Sequence, residues 1–311
     1  METLRAGVIG VGYLGNFHAQ KYRHCPGVEL YGVVDTDYER ALEVASKYQV
    51  GAYADYRDLF DKVDIVSIVV PPAQHYRIAR DFLENGIHTL VEKPVTETVE
   101  QAELLIQIAN TSSLVLQVGH LERFNPAIQM LRDQVCNPLI IETKRTATYK
   151  ERGTEVDVVL DLMIHDIDIV LSLAECNIES IEASGSAIKS DKLDVATASI
   201  LFQNGLRADL SASRVAKTQE RSMRVCELNR YLSLDYINHR LEIGRMENGN
   251  EIKDTSALTF GHTPAGTDIL KSEIVSFVDS VLTGEAPAVS GEDGKKALEV
   301  AINISRHIAR N

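Results

Sequence analysis

The chain has 311 residues, with 45 acidic against 32 basic side chains for a formal net charge of −13, and 44% of its residues are hydrophobic. That composition excludes disordered, collagen-like and membrane-spanning classes, and the acidity argues against nucleic-acid backbone or an anionic membrane as a partner. At about 150 residues per domain, the length fits two domains. The four cysteines, Cys25, Cys136, Cys176 and Cys226, are far apart with no C-x-x-C pair, so neither a metal site nor a disulfide framework is expected and a reducing cytoplasm is. No targeting segment is visible, and the longest apolar stretch stops at Pro71-Pro72, far short of the roughly 20 residues of a spanning helix.

Short β-branched runs that end in Gly, Asp or Pro recur through the first 120 residues, at 7–9, 30–34, 65–70, 89–91 and 114–118. Stretches of helical period lie between them, such as 99–109 and 38–48, the latter apolar at Ala41, Leu42, Val44 and Ala45. Continuous apolar strands alternating with amphipathic helices suit a parallel sheet covered on both faces, which right-handed crossovers make doubly wound. The expected class is α/β, with an N-terminal doubly wound Rossmann domain over 1–122. Beyond it a helix follows Pro126 and another spans about 158–174. In 206–213, apolar Leu206, Ala208, Leu210 and Ala212 then alternate with Arg207, Asp209, Ser211 and Ser213, the mark of an antiparallel sheet packed on one face. Helices over about 269–282 and 292–309 close the chain. The second domain, 123–311, is expected to be α+β on an open, mostly antiparallel sheet.

The first strand runs into Gly10-Val11-Gly12-Tyr13-Leu14-Gly15, and the second ends at Asp35, twenty residues after Gly15. In that context G-x-G-x-x-G is a dinucleotide signature. Gly10 permits the tight turn, Gly12 clears the approach of a pyrophosphate, and Gly15 lets helix and strand pack closely. The helix start at Tyr13 and Leu14 offers backbone N–H groups to phosphate. Asp35 can accept both ribose hydroxyls and would repel a 2′-phosphate, so NAD is expected, with Arg40 the only nearby cation to argue otherwise. The fourth strand ends at Val70-Pro71-Pro72-Ala73-Gln74-His75, where an open α/β sheet binds its ligand. Pro71 and His75 are therefore candidate nucleotide contacts.

The fifth strand ends at Val91-Glu92-Lys93-Pro94. With the glycine loop, the Pro-Pro-x-x-His turn, the segment from Val118 to Pro126, the Asp161-x-x-x-His165 spacing and the tail motifs around Glu273 and Gly291, the chain resembles the Gfo/Idh/MocA family of sugar and polyol oxidoreductases along essentially its whole length. The resemblance implies a Rossmann domain followed by a domain that binds substrate. The open sheet of that second domain commonly joins subunits, here a homodimer or homotetramer. Lys93, at the carboxyl end of a buried strand, is expected beside the cofactor, where it can orient or polarise a reacting hydroxyl; Glu92 is expected there too, supporting the Lys93 turn. Asp161 and His165, at i and i+4, project from one helix face, and Asp168 can neighbour His165. Histidine suits the proton removal that accompanies hydride loss from a secondary alcohol, and the family's catalytic Asp and His fall on Asp161 and His165. Met163 stands between them where the family often has glycine. Arg123 matches a substrate-contacting position, and an inter-domain ion pair explains it almost as well.

The expected function is NAD-dependent removal of hydride from a secondary hydroxyl of a sugar or nucleotide sugar, catalysed by Lys93, Asp161 and His165. Within the family the motifs look most like bacterial members that oxidise the 3-hydroxyl of UDP-N-acetylglucosamine. The alternatives are an inositol or free-sugar dehydrogenase and a non-catalytic NAD(H)-binding regulatory protein.

Overall fold

Six apolar runs form the strands of one parallel sheet: β1 (Leu4–Ile9), β2 (Val28–Val34), β3 (Gly51–Tyr53), β4 (Ile65–Ile68), β5 (His88–Glu92) and β6 (Leu116–Gly119). The computed structural model describes residues 3–151, 154–238, 240–247, 250–252, 258–259 and 268–310. The strand order is β3-β2-β1-β4-β5-β6, and each pairing is parallel. It reverses between β1 and β4, the topological switch point. Helices α1 (Tyr13–Arg23), α2 (Tyr38–Tyr48), α3 (His75–Glu84) and α4 (Val99–Thr111) connect the strands. Their starts are written locally: Asp37 accepts the Arg40 backbone N–H, and Thr98 with Gln101 makes a capping box.

The chain forms two units. Met1–Leu121 with Asp268–Leu298 is one, and Glu122–Thr267 with Glu299–Asn311 is the other. The first crossing falls beside the expected cut, but the expectation that 123–311 forms one continuous domain is corrected. Segment 268–298 returns to the first unit because α7 (Ile269–Thr283) carries an apolar face. Leu270, Ile274, Phe277 and Val278 of that face join Ala6, Val8, Tyr22 and Leu30 in one core.

The second unit opens with α5 (Pro126–Gln134), capped by Asn125, and β7 (Ile140–Thr146). A π-helical turn, Val159–Met163, runs into α6 (Ile164–Ala174). Strands β8 (Ile178–Ser186), β9 (Val195–Phe202), β10 (Arg207–Ser213), β11 (Glu220–Glu227), β12 (Arg230–Asp235), β13 (Arg240–Glu247), β14 (Asn250–Ile252) and β15 (Leu258–Thr259) follow. They order as β14-β13-β12-β11-β7-β10-β9-β8, with β15 on β13. The sheet is mostly antiparallel as expected, with β7 and β10 pairing in parallel. Helix α6 packs against β7 and β10, and α5 against β12 and β13. Ile141, Ala196, Ile200, Ala208, Leu210 and Ala212 are buried, whereas Glu142, Lys144, Thr197 and Arg207 are exposed. The final helix, α8 (Gly291–Arg310), begins where Ser290 and Asp293 exchange backbone and side-chain hydrogen bonds.

Because Phe277 is fully buried, Phe277→Ala should destabilise the first unit by about 3–5 kcal/mol. Urea unfolding followed by circular dichroism measures this, and an unchanged midpoint would show that α7 is not part of that core.

Candidate active site

Gly10 has φ of +83°, and a Cβ there would stand 2.5 Å from the Val69 carbonyl oxygen. A Cβ on Gly15 would lie 1.8 Å from the Gly10 carbonyl oxygen, so only glycine lets α1 reach the end of β1. Gly12 differs: a Cβ there meets nothing within 4 Å. Its lack of a side chain serves open space in front of the α1 N-terminus, where N–H groups and the helix dipole favour phosphate. Tyr13 is exposed at the first turn and Leu14 half-buried behind it.

Asp35 closes this end. One carboxylate oxygen accepts the Val11 N–H at 3.0 Å and the other accepts the Asp37 N–H at 2.9 Å. A cavity of 570 Å³ is lined by Gly10, Gly12, Asp35 and Pro71 of the expected cofactor residues. The expectation that Arg40 is the only nearby cation is corrected, since Arg57, Arg77 and Arg80 also line it. Three of these cations are matched by acids: Arg40 pairs with Asp35 and Asp37, Arg57 with Asp55, and Arg80 with Asp81. The sequence reading missed the other arginines because they come from the β3–β4 connection and α3, outside the Rossmann signature.

His75 is corrected as a nucleotide contact. It is 1% exposed, with Nδ1 2.7 Å from the Pro94 carbonyl oxygen and Nε2 2.8 Å from that of Val70. Burial lowers its pKa, against the pull of both carbonyls. The ring ties the end of β4 to the turn after β5, where the Lys93–Pro94 peptide is cis. Lys93 thus sits on a backbone held on both sides: buried His75 grips Pro94, and half-buried Glu92 accepts the Lys93 N–H through Oε2 at 3.3 Å.

Asp161 and His165 lie in the second unit, Lys93 in the first. The expected single helix face begins as a π-helical turn, and Asp161 is in it. Such wider turns are frequent at functional sites and still keep residues four apart on one side. Asp157 starts the segment by accepting the N–H groups of Val159 and Leu160, and Ser305 donates to its other oxygen. Met163 is fully buried, so the side chain that replaces the family's glycine packs inward as core.

The remaining acids of the motif anchor the helix. Asp168 takes a bidentate pair from Arg123, at 2.6 Å from Nε and 2.8 Å from Nη2. The pair lies within the second unit, which corrects the expectation of an inter-domain ion pair for Arg123. Asp166 takes Arg145 bidentately at 3.0 and 2.8 Å, and Arg145 also donates to Glu122 at 2.9 Å. Against the burial that opposes them, these charges hold the Glu122 carboxyl low and the Arg145 guanidinium high. Such a network needs its cation. No sequence motif marked Arg145; its inward position on alternating β7 was the available signal.

A phosphate cradle at the switch point, an open Gly12 and an acid at the end of β2 fit a dinucleotide, which Gly10, Gly12, Tyr13, Leu14, Gly15 and Asp35 would hold. The fold and the cradle together define a nicotinamide-dependent oxidoreductase. Residues 4–120 match the oxidoreductase family with an NAD-binding Rossmann fold, and residues 127–228 match the GFO/IDH/MocA C-terminal domain. The chain belongs to the Gfo/Idh/MocA family of NAD-binding oxidoreductases. It is similar to the UDP-N-acetylglucosamine 3-dehydrogenase of Acidithiobacillus ferrooxidans, 38% identical over 305 residues, covering 98% of this chain and 97% of that one. A solved structure of that enzyme superposes with a TM-score of 0.92 over 100% of this chain and 99% of the other, at 37% identity. The myo-inositol 2-dehydrogenase of Thermotoga maritima is 25% identical, covering 95% of this chain and 93% of the relative.

Two outcomes follow from this geometry. Gly12→Val should leave the urea midpoint of the protein alone unchanged while weakening NADH, followed by fluorescence titration, by about tenfold or more; unaltered affinity would put the pyrophosphate elsewhere. Arg145→Met strands Asp166 without its ion-pair partner, leaves Glu122 the 3.4 Å contact from Arg221, and should cost about 3–5 kcal/mol in the same unfolding measurement.

Proposed function

We propose that this enzyme oxidises the 3-hydroxyl of UDP-N-acetylglucosamine with NAD, giving the 3-keto nucleotide sugar and NADH. The observation that carries the reading is the 38% identity to the A. ferrooxidans enzyme across nearly both full chains, in a sequence that keeps Lys93, Asp161 and His165. The four cysteines are all free thiols, in keeping with a cytoplasmic setting. No helix among the described residues is long and apolar enough to cross a membrane.

NAD, when bound, supplies the hydride acceptor. The chain's own residues then manage the proton and the oxygen. Lys93 donates a hydrogen bond to the reacting hydroxyl and stabilises the charge that develops on its oxygen as the C–H bond breaks. His165 takes the hydroxyl proton as general base, and in the reverse direction returns it to the carbonyl oxygen. Asp161 orients the imidazole and stabilises its protonated form. Glu92 holds the turn under Lys93. Arg123, fixed by Asp168, presents its guanidinium edge to the substrate.

A second copy of the chain is the partner proposed for the outer face of the nine-stranded sheet, as a homodimer or homotetramer. That face carries a groove of 740 Å³ among Glu142, Lys144, Glu182, Thr197 and Arg224, acids and bases that a symmetric partner can match. Light scattering should give a multiple of the single-chain mass, and a clean monomer contradicts the assembly.

Incubation of the protein with NAD and UDP-N-acetylglucosamine should raise absorbance at the NADH band and yield the keto sugar by mass spectrometry. His165→Ala should lower kcat by about 10²–10⁴. Turnover of a free polyol without any keto nucleotide sugar would favour an inositol-type activity, and normal turnover by His165→Ala would remove the histidine from its role.

A further inference from the structure

Three ionisable side chains from three elements of the first unit lie together: His18 of α1, Glu92 at the end of β5 and Glu273 of α7. One ligand-type atom from each falls within 4.8 Å of the others. His18 and Glu273 are fully buried. His18 Nε2 stands 3.3 Å from Glu92 Oε1. Neither Glu273 oxygen has an aligned hydrogen-bond partner among the described residues, although its backbone carbonyl accepts from Gln117 Nε2 at 3.2 Å. Gly119 faces the cluster, and a Cβ there would come within 3.0 Å of the Glu92 carboxyl. The bare backbone at that point leaves the Glu92 carboxyl its place.

We propose that His18, Glu92 and Glu273 form one proton-sharing cluster whose function is to position Lys93. The importance of Lys93 rests on the reading given above; the cluster itself rests on the geometry.

Two carboxyls this close in a buried site cannot both ionise cheaply. Glu92 is the one with groups that favour charge: His18, the Lys93 backbone N–H, the Lys93 ammonium, and His75 on α3. Against the burial that opposes them, these hold its carboxyl below the usual range. Glu273 faces Glu92 and the phenol of Tyr22, whose hydroxyl bonds Ser67 Oγ at 2.8 Å. Burial, and then the Glu92 charge, push its carboxyl well above the usual range. The shared proton therefore resides on Glu273, which becomes a donor in a cluster otherwise rich in acceptors. Glu92 is left as a fixed carboxylate, with His18 Nε2 3.3 Å from one oxygen and the Lys93 N–H donating to the other. Lys93 thereby takes its position from α1, whose first turn faces the cofactor, and from α7, the returning helix.

Infrared spectroscopy of the whole protein with ¹³C-labelled glutamate reads the cluster without substrate. A protonated-carboxyl band should be present at neutral pH, lost in Glu273→Gln and retained in Glu92→Gln. Glu273→Gln, a neutral donor of the same size, should keep kcat within about threefold, Glu273→Ala should lose about tenfold or more, and Glu92→Gln should lose at least as much while NADH affinity stays within about twofold. No band at neutral pH, a band that survives Glu273→Gln, or undiminished kcat in Glu92→Gln would overturn the proposal. So would one equivalent of divalent metal in elemental analysis, since a cation would replace the shared proton. If the wild-type protein turns over no nucleotide sugar, the proposed function fails, and the infrared band still decides whether the proton-sharing cluster exists.

Discussion

The ligand end of the first unit depends on one close approach, that of Gly15 to the carbonyl of Gly10. With any side chain at position 15, α1 would be pushed off the end of β1 and its free N–H groups would no longer point at the switch point. That packing places Gly12 over open space and lets Asp35 reach the loop at Val11. The same helix, three residues further on, carries His18 down to Glu92 and Glu273. One backbone contact therefore positions both the phosphate cradle and the base of the Lys93 turn.

The second unit solves a different problem. A polar helix start bearing Asp161 and His165 has to be held against a sheet whose inner face is apolar. Arg145 and Arg123 do this by gripping Asp166 and Asp168, the acids on either side of Ile167 just after His165. Buried ion pairs of this kind contribute little net stability compared with apolar packing, but they leave few alternative placements for the helix. Met163 of the same turn is fully buried in the core.

The Rossmann architecture was legible because its signals are local: continuous apolar runs alternating with helical ones, glycines at fixed offsets, and an acid at the end of β2. The alternation of 206–213 likewise foretold the one-sided sheet. What could not be read were contacts between residues distant in sequence. The return of α7 to the first core depends on which apolar face Leu270, Ile274 and Phe277 find, and nothing near residue 270 names its partner. His75 looked like a ligand contact from its place after Pro71-Pro72, yet two backbone carbonyls meet its ring. The spacing that set Asp168 near His165 gave no sign of Arg123, 45 residues away, whose guanidinium donates to the Asp168 carboxylate.

The central claim is that a hydrogen on a sugar carbon passes directly to the nicotinamide. Mass spectrometry of the nicotinamide product after turnover of UDP-N-acetylglucosamine deuterated at C3 tests it most directly. The account predicts NADH carrying one deuterium per turnover; unlabelled NADH, with deuterium retained in the sugar or lost to water, would contradict it.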